Sequence, residues 1–147
     1  MPEGEVPETW ESDLRRGILQ LLVLTIIRDA GTTFGYAIAQ TIRDRTADRL
    51  ILQDGTLYPL LRRLEQQKLV DSTWDVSGER PRKYYRLTTT GDQQLRTMLV
   101  AWMDFVAALD PIFRASAAAA SGKVLSKEGA RFCARCGVQV YPGALFC

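Results

Sequence analysis

The residues best equipped for chemistry in this 147-residue chain are cations and thiols, and no histidine accompanies either set. Arg62, Arg63, Arg80, Arg82, Lys83 and Arg86 lie close together in sequence, near the hydroxyls of Tyr36, Thr56 and Tyr58. Guanidinium and ammonium groups donate charge-assisted hydrogen bonds to phosphate oxygens, and arginine does so with a planar fork. Such a set reads as a surface for an anionic polymer. The absence of histidine removes the commonest general base and every histidine-containing metal set. No Ser, Cys or Lys nucleophile sits in a recognisable motif and no Gly-rich phosphate loop occurs, so the chain is not expected to be an enzyme. Three cysteines remain, Cys133, Cys136 and Cys147, and the Cys133-x-x-Cys136-Gly137 spacing brings two sulfurs to one ion.

The cations have to be carried by a helix and a hairpin. Leu57, Leu60, Leu61 and Leu64 form one apolar stripe of period 3.6 and predict a helix capped at Asp54, with Tyr58, Arg62, Arg63 and Gln66 on its other face. Residues 69–75 and 83–88 are short runs with Val, Trp, Tyr and Thr. Between them Val76-Ser-Gly-Glu-Arg-Pro-Arg82 marks a loop by its Gly and Pro. Pro59 removes a donor from the helix and predicts a loosened first turn. Upstream, Ser12 caps a helix over 13–29 that buries Leu14, Ile18, Leu21, Leu22, Thr25 and Ile26, and Thr33 caps a second helix over 34–45. A helix entering a short basic hairpin is the order of parts of a winged helix-turn-helix. The predicted fold class is thus mainly α with a small β-hairpin.

Residues 14–109 resemble the PadR family of bacterial transcriptional regulators. The resemblance is carried by Gly35-Tyr36, by Gly55-Thr-Leu-Tyr58-Pro-x-Leu61-x-Arg63-Leu-Glu65, and by Tyr84-Tyr85-x-Leu87-Thr88-x-x-Gly91. Lys68 stands where that family usually has a glycine closing the recognition helix. The resemblance implies double-stranded DNA as partner, with the candidate contacts Tyr36, Gln40, Thr56, Tyr58, Arg62, Arg63, Arg80, Arg82 and Lys83. Tyr58 either touches a phosphate or packs on the wing, and phosphate contact is preferred because helix N-termini attract anions. Arg62 and Arg63 as a mere solvated face are the competing reading; the hairpin cations across from them favour the DNA surface. Trp74 is expected to cover the back of the wing.

Charge agrees with this assignment. The net charge is +2, yet residues 1–13 hold five acids and no base, while residues 14–91 hold 13 Lys or Arg against 8 Asp or Glu. The expected organisation is an acidic arm 1–13, a winged domain 14–91, a dimerisation helix 92–110, a linker 111–130 and a cysteine tail 131–147. Thr90 opens a capping box for the dimerisation helix, where Leu95, Leu99, Trp102, Val106 and Leu109, widened by Phe105, form an apolar seam for a second copy. Asp110-Pro111 is expected to end that helix. Trp102 anchors the interface or stacks an aromatic small-molecule effector, as the resemblance allows, and the first is preferred.

The tail resembles part of a zinc ribbon, with Cys133, Cys136 and Cys147 as three ligands of a structural zinc. A fourth would come from a terminal carboxylate, from Glu128, from another subunit or from sequence beyond Cys147. The competing reading is a set of reduced thiols or a redox pair. No apolar run approaches the roughly 18 residues of a membrane span, and the acidic start lacks a signal peptide's basic region, so a cytoplasmic homodimer is expected. The leading expectation is a DNA-binding repressor; the alternative is a winged-helix protein-interaction module whose zinc-binding tail recruits a partner.

Overall fold

Three helices and a three-stranded antiparallel sheet enclose one apolar core in the computed structural model, which describes residues 8–121, 131–132 and 139–140. The order is α1 (Glu8–Ala30), β1 (Thr32–Phe34), α2 (Gly35–Arg45), α3 (Asp54–Gln66), β2 (Val70–Asp75), β3 (Arg82–Leu87) and α4 (Thr89–Ser121). Two short strands, β4 (Arg131–Phe132) and β5 (Gln139–Val140), pair antiparallel by themselves. Residues 8–103 form one compact unit. Among the described residues no helix is long and apolar enough to cross a membrane.

The stripe on α3 is buried as its period requires: Leu57, Leu60, Leu61 and Leu64 all enter the core. Ile38 and Ile42 from α2 and Val23, Leu24 and Ile27 from α1 meet them there, each essentially without solvent contact. A fully buried side chain of this size contributes about 1.5–3 kcal/mol of transfer free energy, so this cluster is the main favourable term of the fold.

Helix α1 begins at Glu8, so residues 8–13 of the expected arm are helical. Its buried face overlaps the expected one, with Ile26 buried and Leu21 and Leu22 packed against the core, but is centred on other residues. Leu19, Val23, Leu24, Ile26 and Ile27 face the core, whereas Leu14 is exposed and Ile18, Leu21 and Leu22 are only partly covered. Residues 18–27 are apolar almost all round, so periodicity offered two faces. Trp10 adds a fourth position to the row Leu14, Ile18, Leu22 at four-residue spacing, and this outer row lines an open apolar hollow of about 610 Å³ with Leu50.

Thr33 is not a helix cap. It lies in β1, buried opposite Tyr85, and Phe34 is the residue that precedes α2. The sheet order is β1-β3-β2, with Thr32 to Phe34 on Arg86 to Tyr84 and Val70 to Asp75 on Leu87 to Arg82. Three residues are too few to show a strand period, and their partner is some fifty positions away.

The end of α3 explains how Lys68 replaces a glycine. Lys68 adopts φ 58°, its amide bonds to the Glu65 carbonyl at 3.0 Å, and the Leu69 amide bonds to the Leu64 carbonyl at 3.0 Å. These are the two bonds of a Schellman closure, with buried Leu64 and Leu69 as its apolar pair. The next helix is capped by Thr88 rather than Thr90: the Gly91 amide donates to Thr88 Oγ1 at 2.9 Å, and that hydroxyl donates to the Lys68 carbonyl at 2.7 Å. Gly91 is required here, since a Cβ would stand 1.9 Å from the Leu69 carbonyl oxygen.

Helix α4 runs through Pro111 to Ser121, so residues 111–121 are helix and not linker. The proline lies in an exposed stretch, alanines favour helix, and Arg114 pairs with Asp110 across it. Leu95 is also reassigned. It is fully buried in the core of its own winged domain, and Leu99 packs against that core, because the Thr88 and Gly91 contacts dock the first turns of α4 onto Leu69. Trp102 and Leu109 are half-buried, while Phe105 and Val106 are exposed.

Candidate nucleic-acid interface

Tyr58 projects from α3 across the start of α2. A Cβ on Gly35 would lie 2.9 Å from its ring, so the glycine of the Gly35-Tyr36 pair makes room for this tyrosine. Tyr58 keeps about two fifths of its surface exposed, and Tyr36 is 69% exposed beside it. Together with Trp74, Arg82 and Lys83 they line a slot of about 310 Å³ between the helices and the hairpin. Tyr58 thus packs one side of its ring against Gly35 of α2 and leaves the rest exposed in the slot.

Thr56, Arg62 and Arg63 are exposed on α3. Tyr58 and Arg62, four residues apart, share one face, and Arg63 stands one step round the helix. Gly55 lies in the first turn, has open space around its missing side chain and does not need a positive φ. Nothing inside the protein demands a glycine there. The first turn is closed by amides of Thr56 and Leu57 on the Gln53 carbonyl at 2.9 and 3.0 Å, and the helix continues through Pro59.

In the hairpin, Asp75 opens the tip by accepting from the Ser77 hydroxyl at 2.6 Å and the Ser77 amide at 2.9 Å, and these bonds hold its carboxyl below the usual range. Arg80 is exposed at the tip. Arg82 stacks over Phe34 at 4.8 Å from the ring centroid, and Phe34 meets Tyr84 edge-on at 5.5 Å. The stacking holds the guanidinium in place without neutralising it.

Lys83 departs from the expectation of a phosphate contact. Alternation along β3 sends it to the opposite face from Arg82, toward α3, where Nζ donates to Glu65 Oε2 at 2.9 Å. The same carboxylate accepts from Ser72 Oγ on β2, and these two bonds hold Glu65 below its usual pKa. Gln40 is likewise engaged, donating to Asp44 at 2.9 Å. Trp74 does not cover the back of the wing: it is 64% exposed, with Lys83 Nζ 5.9 Å from its ring. The alternation Val70, Ser72, Trp74 places it on the α3 side of the sheet, a signal present in the sequence.

Most of the ion pairs lie away from this face. Arg28, Arg43, Arg45 and Arg96 are paired with aspartates elsewhere on the domain. Among the described residues, Arg62, Arg63, Arg80 and Arg82 have no acidic partner within ion-pair distance. No group of three or more Cys, Asp or Glu is placed to hold a metal ion among the described residues; Cys133, Cys136 and Cys147 lie outside them.

Comparison with known proteins gives a consistent result. Residues 23–97 match the transcriptional regulator PadR-like family. An uncharacterised protein of Lysinibacillus sphaericus is 33% identical over 100 residues, 67% of this chain and 91% of that one. The crystal structure of a PadR family transcriptional regulator from Eggerthella lenta superposes with a TM-score of 0.64 at 37% identity, covering 71% of this chain and 89% of its own. The fold also matches that of Bacillus subtilis PadR, solved in complex with operator DNA, at TM-score 0.52 and 24% identity over 56% of this chain and 47% of that one.

Proposed function

The chain belongs to the PadR-like family of transcriptional regulators, which are not enzymes, and from that premise we propose that it is a homodimeric repressor reading a pseudo-palindromic operator. The observation that carries this reading is the set of arginines on α3 and the wing, Arg62, Arg63, Arg80 and Arg82, that have no acidic partner within ion-pair distance, whereas Arg28, Arg43, Arg45 and Arg96 are each paired with an aspartate. The solved complex of Bacillus subtilis PadR with operator DNA supports the same use of the fold. In the proposed complex α3 enters the major groove with Thr56, Tyr58 and Arg62 nearest the bases. Tyr36, Arg63, Arg80 and Arg82 hold the backbone, which positions the protein without reading sequence.

The second copy is held by apolar surface that one chain leaves exposed, Trp10 and Leu14 on α1 with the partly covered Ile18, and Phe105 and Val106 on α4 with the half-buried Trp102 and Leu109. Two recognition helices then stand about 34 Å apart, one DNA turn or a multiple of it. A small-molecule effector would release the operator by changing the angle between the two wings. Cys133, Cys136 and Cys147 are proposed to bind a structural zinc ion, supported by their spacing.

Electrophoretic retardation of the duplex upstream of the protein's own gene tests the reading. A retarded, competitor-resistant band at dimer stoichiometry is expected, and binding no tighter than to scrambled duplex would defeat it. Native mass spectrometry in zinc reports the other two elements: a dimer with two ions supports both, a monomer removes the operator geometry, and a metal-free dimer removes the zinc.

A further inference from the structure

Glu65 carries the wrong charge for a surface facing phosphates, and its geometry gives it another task. Its two carboxylate oxygens are divided between the strands of the wing: Oε1 accepts from Ser72 Oγ on β2, and Oε2 accepts from Lys83 Nζ on β3 at 2.9 Å. Both side chains of the ion pair are about one-third exposed or less, and Lys83 is further enclosed by the rings of Trp74 at 5.9 Å and Tyr85 at 5.6 Å. One side chain near the end of the recognition helix therefore grips the hairpin on both strands. Beyond this grip the hairpin extends through Trp74 and Asp75 to an exposed tip that carries Arg80.

We propose that Glu65 is a positioning residue for DNA binding, fixing the angle between wing and recognition helix so that both reach one duplex at once. The inference rests on the DNA-binding reading above. It makes a prediction of opposite sign from simple electrostatics. If Glu65 were only a negative charge near DNA, removing it would free Lys83 and tighten binding to every duplex. As a positioning residue, its removal weakens binding to the specific site alone, because only that site needs helix and wing in one register.

The test compares Glu65→Ala, Glu65→Gln and wild type on two probes: a duplex enriched from a randomised pool by the wild-type protein, and a scrambled duplex of equal composition. Glu65→Ala is expected to lose roughly tenfold in affinity for the enriched duplex, the scale of one lost charged hydrogen bond, and to bind the scrambled one as tightly or more tightly. Glu65→Gln keeps a neutral acceptor and should recover part of the ratio. Equal or tighter binding of Glu65→Ala to both duplexes overturns the proposal. Should the alanine variant lose helical signal, Ser72→Ala cuts one arm without changing charge, and an unchanged ratio there overturns it equally. Hydrogen exchange on the DNA-free protein reads the latch alone. Faster exchange in β2 and β3 with α3 unchanged is expected for Glu65→Ala, and a wing with wild-type exchange overturns the latch whether or not any duplex binds.

Discussion

Gly55 separates stability from function at a single residue. Its missing side chain meets open space and its backbone needs no left-handed conformation, so Gly55→Ala should stabilise the protein by about 0.5–1 kcal/mol. If α3 lies in a groove, the added methyl group stands between helix and DNA, and affinity should fall while the melting temperature rises. Calorimetry and retardation on one preparation measure both; a variant that is more stable and binds as well would remove Gly55 from the interface. Glu65 gives a pH dependence. Its folded-state pKa is lowered, first by Ser72 and then by Lys83, so the stability it contributes is fully present above the unfolded value of about 4.3. That contribution is lost as pH falls through the lowered folded pKa. The stability gap between wild type and Glu65→Gln should be complete at neutral pH and shrink in acid below about pH 4; a gap independent of pH in urea titrations would contradict this.

At the scale of elements, the junction between recognition helix and wing decides how the binding parts are held. Lys68 closes α3 at φ 58° with both Schellman bonds formed, a conformation that costs a residue with a Cβ about 1 kcal/mol. Lys68→Gly should therefore raise the unfolding free energy by about that amount, read as a shifted denaturation midpoint at unchanged slope. A destabilised glycine variant would mean that the lysine charge at the helix C-terminus outweighs the backbone strain. The same junction continues into Thr88, whose hydroxyl joins the Lys68 carbonyl to the first amides of α4. Recognition helix, wing and α4 thus share one hydrogen-bonded corner, and Gly91 is what lets the Leu69 carbonyl enter it.

For the whole molecule, the proposed dimer carries three wing and helix arginines per copy onto phosphate, Arg62 or Arg63 with Arg80 and Arg82. Six contacts give a slope of log affinity against log salt near −5, from about −0.9 for each. Arg80→Ala with Arg82→Ala removes four contacts from the dimer and should flatten the slope to about −2. Lys83→Met should leave it nearly unchanged, since that charge is held by Glu65. An unchanged slope in the double variant would take the wing off the DNA. Sequence alone determined the parts whose signals are local: the leucine stripe of α3, the basic hairpin after it, and the family motifs that place Gly35 beside Tyr36 and Gly91 after Thr88. The first two follow from periodicity and turn chemistry, which neighbouring residues carry by themselves, and the motifs from the family resemblance. Only the tertiary structure decided which face of the all-round apolar α1 turns inward, that residues 32–34 add a third strand, and that Leu95 belongs to its own domain's core. It also set Lys83 against Glu65. Each of these depends on which distant surface supplies a partner for a buried side chain or an unpaired backbone group, and spacing along the chain does not encode that choice.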